Sequence, residues 1–206
     1  MIDTLNLDPQ CTAVLCMDFQ VGIGQNFAGA DSHGLLERTA ALLDAARQAG
    51  AKVGYVKVGF RPGYPEVSPN NLAFSTIRSS GRFEGDAPGA EIHPQVAPRE
   101  DEFIVTKHRY GAFPGTDLDM ILRANGIDTL VLAGISTSGV VLSTVRHAAD
   151  ADYRIVVVAD CCTDPDPEVH RVLTEKVFPR QARVMGGAEM IAALQKSGAK
   201  GRTGTL

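Results

Sequence analysis

No apolar run in this chain is long enough to cross a bilayer, which excludes an integral membrane protein built on helices. The stretch Met1-Ile-Asp-Thr-Leu-Asn6 lacks a basic region followed by an apolar one, so no signal peptide is expected and the cytoplasm is the simplest compartment. Basic residues are not in excess. Twenty Lys and Arg against 24 Asp and Glu give a net charge of −4, which argues against non-specific binding to nucleic acid or to an anionic membrane surface. The four cysteines, Cys11, Cys16, Cys161 and Cys162, match no zinc spacing, and an adjacent pair does not read as a disulfide framework. Three of them fall in or beside predicted strands, where a free thiol behaves as a small hydrophobe. His33, His93, His108, His147 and His170 show neither His-x-x-x-His nor Asp-x-His spacing, so no metal and no other cofactor is expected. His147 and His170 read as structural residues on helices. No internal repeat stands out.

What is present is ordinary material for a globular core: 206 residues, 44% hydrophobic and 21% charged, which fits one domain over 1–206. Strands are predicted at Thr12–Asp18, Ala51–Val58, 102–106, 129–133, Arg154–Ala159 and Ala182–Met185. Helices are predicted at Ser32–Gln48, about Thr116–Asn125, about Val140–Asp152, about Pro167–Val177 and 187–196. Phe19 to Gln25 reads as a glycine-punctuated loop. Gly59 to Glu102 reads as a long ordered loop with short helical pieces, because Leu72, Phe74, Ile77 and Phe83 give it apolar content. The polar, glycine-rich tail at about 198–206 is expected to be mobile. Six strands alternating with helices imply a parallel α/β sheet covered on both faces.

The chain is organised around Leu130-Val-Leu-Ala-Gly134-Ile-Ser-Thr-Ser-Gly139-Val140. An apolar strand breaks at Gly134, passes through small hydroxyl residues and re-emerges as a helix, which sets a helix N-terminus at the carboxyl edge of a sheet. Ligands bind at that edge in open α/β folds. Two further strands end on reactive side chains, Val14-Leu-Cys-Met-Asp18 and Phe103-Ile-Val-Thr-Lys107. Asp18 is a capping residue or a carboxylate tuned for proton transfer. Lys107 must either reach solvent or meet an anion. The Gly134–Gly139 segment lacks the Gly-Lys-Ser/Thr ending of a phosphate loop. Ser136, Thr137 and Ser138 need an adjacent base to act as nucleophiles, and turn-capping is their simpler role. Arg61, Arg78, Arg82 and Arg109 are candidates to grip a substrate carboxylate, with Arg109 favoured by its closeness to Lys107.

Met17-Asp18-Phe19-Gln20, Pro88-Gly-Ala-Glu-Ile-His93, Val105-Thr-Lys107-His-Arg109-Tyr110-Gly-Ala-Phe113, Gly115-Thr-Asp-Leu118, Leu132-Ala-Gly134-Ile-Ser-Thr137 and Val158-Ala-Asp160-Cys occur in this order. Together they resemble the isochorismatase-like hydrolase superfamily, also called the cysteine hydrolases, over most of the chain. The resemblance implies a three-layer α/β/α sandwich with strand order 3-2-1-4-5-6, and a homo-oligomer, dimer or tetramer. It implies a small-molecule substrate and catalysis by Asp18 and Lys107. In the family's amidases these two activate a cysteine at the start of the helix. Counting from Gly134 and Thr137, that position is Val140, which cannot attack a carbonyl. The true isochorismatases carry a glycine there and cleave an enol ether after protonation by the aspartate, without a covalent intermediate.

The expected activity is therefore hydrolysis of a small anionic metabolite by the Asp18–Lys107 dyad. Arg61 or Arg109 would grip a carboxylate, Tyr110 and Phe113 would line the pocket, and Gln20, Ser136, Thr137, Ser138 and Gly139 would complete it. Two alternatives stay open: an inactive small-molecule-binding member of the family, and an amide hydrolase whose nucleophile is Cys161, Cys162 or Ser138.

Overall fold

The computed structural model describes residues 7–24 and 32–202. Residues 1–6, Gln25 of the glycine-punctuated loop, and the tail beyond 202 lie outside the described residues. Six parallel strands form one sheet in the order β3-β2-β1-β4-β5-β6. They are β1 (Thr12–Met17), β2 (Lys52–Val58), β3 (Phe103–Lys107), β4 (Thr129–Ile135), β5 (Arg154–Thr163) and β6 (Arg183–Met185). Every residue of β1 and β4 is buried, as parallel strands covered on both faces require.

Side-chain alternation along β1 divides the core. Val14 and Cys16 face one layer, with Val131 and Ala133 of β4, and are covered by Leu42 and Leu43 of α2 (Ser32–Ala49) and Met190 and Leu194 of α7 (Gly187–Arg202). Ala13, Leu15 and Met17 face the other layer. There they meet Leu118 and Leu122 of α4 (Leu118–Ala124) and Val145 and Ala148 of α5 (Leu142–Asp150). This is the expected three-layer sandwich. Among the described residues no helix is long and apolar enough to cross a membrane.

Several elements differ from the sequence reading. Val21–Gly24 closes one helical turn, α1, where a loop was expected. The 59–102 stretch folds around α3 (Leu72–Ser80) and its own small core of Phe60, Tyr64, Phe74 and Phe83. Strand β5 runs to Thr163 rather than Ala159. Asp160 interrupts the apolar run, but a register shift lets Cys162 pair beside Gly134 and Thr163 beside Ile135. The helix expected from Val140 begins at Thr137 with a π turn, Thr137–Val141, before α5. Likewise α6 (Pro167–Val172) passes into a π turn over Leu173–Val177.

Helix α7 continues through Arg202 instead of ending at residue 196, so the expected mobile tail is helical as far as that residue. Gly198 reads as a helix breaker in sequence. In the fold it is a packing residue, since a Cβ there would stand 2.9 Å from Ala49 Cα at the end of α2.

Candidate active site

β1 and β4 are the central pair of the sheet, with Met17 opposite Gly134, and connections leave them in opposite directions. That reversal opens a crevice at the carboxyl edge. Asp18 follows β1 directly. Its N–H donates to Val56 O at 2.8 Å, and its φ of 60° is left-handed, a conformation Asp tolerates better than most residues. Across the crevice β4 ends at Ile135, the Ile135–Ser136 peptide is cis, and Ser136 caps the π turn by accepting the Gly139 N–H on Oγ at 3.1 Å.

Lys107 ends β3, two strands away from β1. Adjacent strands lie about 4.8 Å apart, so the gap of roughly 10 Å is one that only a long side chain bridges. Lys107 Nζ reaches 2.9 Å from Asp18 Oδ2 and donates to Arg109 O at 3.0 Å. Both side chains are buried, at 4% and 7% exposure. Among the described residues Asp18 Oδ1 is buried without a hydrogen-bond partner, and the neighbouring Val58 N–H is held by Gln20 Oε1 at 2.8 Å. Burial raises the Asp18 pKa above its ordinary value of 3.8. The charge and hydrogen bond of Lys107, and to a lesser degree the Val58 N–H, offset only part of that rise.

Asp18 and Lys107 lie in the wall of a cavity of about 210 Å³. Ser136, Gly139 and Val140 come from the π turn, Tyr110 from the segment after β3, and Phe74, Ile77, Arg82 and Phe83 from the 59–102 stretch. Val140 is 2% exposed, and its Cγ1 would stand 3.2 Å from a Cβ placed on Gly134, so the strand–helix turn depends on that glycine. The Phe74 and Tyr110 rings pack with centroids 5.2 Å apart. The cavity thus has a polar floor at the dyad and an apolar wall opposite.

Of the residues expected in the site, the fold brings together Asp18, Lys107, Tyr110, Ser136, Gly139 and Val140. The others have different work. Gln20 is a clamp: its amide donates to Val58 O and Ala90 O at 2.9 and 2.8 Å, so it is already engaged with backbone. Arg61 is 71% exposed, pairs with Glu66 at 2.7 Å and borders a separate cleft. The Arg109 guanidinium turns back to His108 O, and only its carbonyl serves the site. Phe113 stacks on His147 within the α4–α5 core layer, with centroids 4.5 Å apart. Thr137 Oγ1 hydrogen-bonds His170 Nδ1 at 2.8 Å, and exposed Ser138 gives its N–H to Asp164 at 2.7 Å, so both secure the turn from outside the cavity.

Neither Cys161 nor Cys162 lines this cavity. Cys161 lies in the α2–α7 core layer, its thiol pushed up to about 12 by burial, and Cys162 lies in the α4–α5 layer with its thiol also raised by burial. Phe74, Ile77 and Phe83 were missed as pocket residues, although their apolar spacing marked the stretch as ordered. Of the four candidate arginines the sequence favoured Arg109, whereas the one in the cavity wall is Arg82.

The isochorismatase domain family matches residues 12–189. The chain belongs to the isochorismatase family. It is thereby a member of a hydrolase family, and the fold expected from that resemblance is the one observed. An uncharacterised isochorismatase family protein of Bacillus subtilis, YwoC, is 34% identical over 87% of this chain and 92% of its own length. The ureidoacrylate amidohydrolase RutB of Acinetobacter baylyi is 32% identical over 82% of this chain and 78% of its own. Among solved structures, N-carbamoylsarcosine amidase from Thermoplasma acidophilum matches with a TM-score of 0.67 at 30% identity, covering 85% of this chain and 96% of that one.

Proposed function

We propose that this protein hydrolyses a small anionic metabolite by proton transfer from Asp18, without a covalent bond to the enzyme. The observation that carries the reading is the unpartnered, buried Oδ1 of Asp18 in the cavity wall. A carboxyl whose pKa is raised by burial holds a proton at pH values where an exposed one has lost it, which suits a general acid. Its Oδ1–H would protonate an electron-rich carbon or leaving group of the bound substrate. Water would capture the resulting oxocarbenium, the proton released by that water would return to the carboxylate, and the hemiketal so formed would collapse to a carbonyl compound and an alcohol, breaking the C–O bond. Lys107, fixed by Arg109 O, stabilises the carboxylate formed in between. Val140 occupies the place where the family resemblance expects a nucleophilic cysteine, and its side chain supplies no nucleophile.

A second reading, amide hydrolysis, is favoured by the relatives named as amidohydrolase and amidase. The hydroxyl that the cavity wall offers for it is Ser136, whose Oγ already accepts the Gly139 N–H. Turnover of a paired panel, small enol ethers on one side and small ureido or carbamoyl amides on the other, separates the two. Enol-ether cleavage that is lost in Asp18→Ala supports the proposal. Amide cleavage that survives in Asp18→Asn contradicts it.

A further inference from the structure

We infer that Arg82 is the specificity-determining residue of this cavity, and that it selects substrates bearing a carboxylate. The inference rests on reading the cavity as the substrate site, and names the class of substrate that site takes. Among the four arginines that sequence offered, Arg82 is the one in the cavity wall. Its ionic state differs from that of the ion-paired arginines. Arg47, Arg61, Arg99, Arg123, Arg154, Arg171 and Arg183 each lie within 4.0 Å of a carboxylate. Arg82 has no carboxylate partner among the described residues. Its Nη2 donates to Gly22 O at 2.6 Å and its guanidinium lies 4.8 Å above the Phe83 ring, which leaves Nε and Nη1 without partners among the described residues.

The surrounding chain holds this group in place at a conformational cost. Phe83 sits at φ 61° and Tyr64 at φ 53°, left-handed conformations that bulky residues adopt only when their surroundings impose them. The Phe60 N–H donates to Phe83 O at 2.8 Å, and Tyr64 Oη donates to Arg82 O at 2.9 Å. A planar fork with two open donors, stacked on an aromatic face and half-buried, is built for two-pronged contact with a carboxylate. The charges agree: whether Asp18 is ionised and offsets Lys107 or is protonated and leaves Lys107 unbalanced, Arg82 gives the cavity a positive excess.

The test uses the full chain and two probes that differ by one charge, succinamate and its neutral diamide succinamide, with binding measured by calorimetry. Wild type is expected to bind succinamate roughly tenfold more tightly than succinamide, the scale of one charge-assisted pair. Arg82→Gln should erase that preference, Arg82→Lys should keep part of it, and Asp18→Asn should retain it in full. Equal affinity for the two probes in wild type, or no binding of either, overturns the inference, as does a preference that survives Arg82→Gln. Should Arg82→Gln fail to fold, Arg82→Lys with an undiminished preference overturns it equally. Because binding is read without turnover, a preference in a protein that cleaves nothing supports Arg82 while removing the hydrolase reading. Asp18-dependent turnover without charge preference does the reverse.

Discussion

Lys107 Nζ stands 2.9 Å from Asp18 Oδ2 although β3 and β1 are separated by β2. The contact spans the sheet edge and leaves the second carboxylate oxygen to the cavity. Burial pushes the Asp18 pKa up and Lys107 pulls it down, with burial the larger effect. A group poised between two opposing influences responds to the removal of either one.

Lys107→Met removes the cation and leaves a buried carboxyl alone. Breaking a buried pair from one side costs about 3 kcal/mol or more when the remaining charge stays ionised. Here protonation of Asp18 relieves part of that cost. Denaturant unfolding at neutral pH is expected to show a loss on the order of 2–3 kcal/mol, shrinking as the pH is lowered. A loss that is constant with pH contradicts the coupling.

Asp18→Asn carries the opposite sign. The folded pKa of Asp18 lies above 3.8, so from 3.8 up to that value the folded protein keeps a proton that the unfolded chain has released. Stability from this group therefore falls as pH rises through the window. Asparagine has no such proton to lose. The stability of Asp18→Asn relative to wild type should rise with pH over that window and then level off, while turnover is abolished. A difference that falls with pH would show that the ion pair outweighs burial.

Alkylation bears on the covalent alternatives. Cys16, Cys161 and Cys162 are buried with raised pKa values, and Cys11, which ends the turn before β1, is half-buried. Native protein treated with iodoacetamide should retain full activity, with modification confined to Cys11 by peptide mass mapping. Inactivation in step with labelling of Cys161 or Cys162 would restore a thiol mechanism.

Gly139→Ala tests the turn that faces Asp18. A Cβ at this position would stand 2.7 Å from Ser136 Oγ, so the cap bond must open. A stability loss of about 1 kcal/mol is expected from the missing cap, with activity falling further because the cavity wall shifts. Gly24→Ala is the control: among the described residues a Cβ there meets nothing within 4 Å.

The sheet was legible because β1 and β4 are uninterrupted apolar runs and Asp18, Lys107 and Gly134 punctuate their strands. The dyad followed from two strands ending in opposite charges. The far wall of the cavity was not legible. Phe74 and Phe83 reach the site through contacts within 59–102 that no local period encodes, and the choice among Arg61, Arg82 and Arg109 depends on which guanidinium already has a partner. Gln20, Thr137 and Phe113 lie beside the site in sequence but turn to backbone, His170 and His147. Sequence position gave their neighbourhood and not their direction.

The most direct measurement is a carbon NMR titration of the Asp18 carboxyl, assigned by its disappearance in Asp18→Asn. The account predicts a midpoint above 3.8 in the wild-type protein and a further upward move in Lys107→Met. A midpoint at or below 3.8 would mean that Lys107 holds Asp18 ionised, and a carboxylate so held cannot serve as the proton donor.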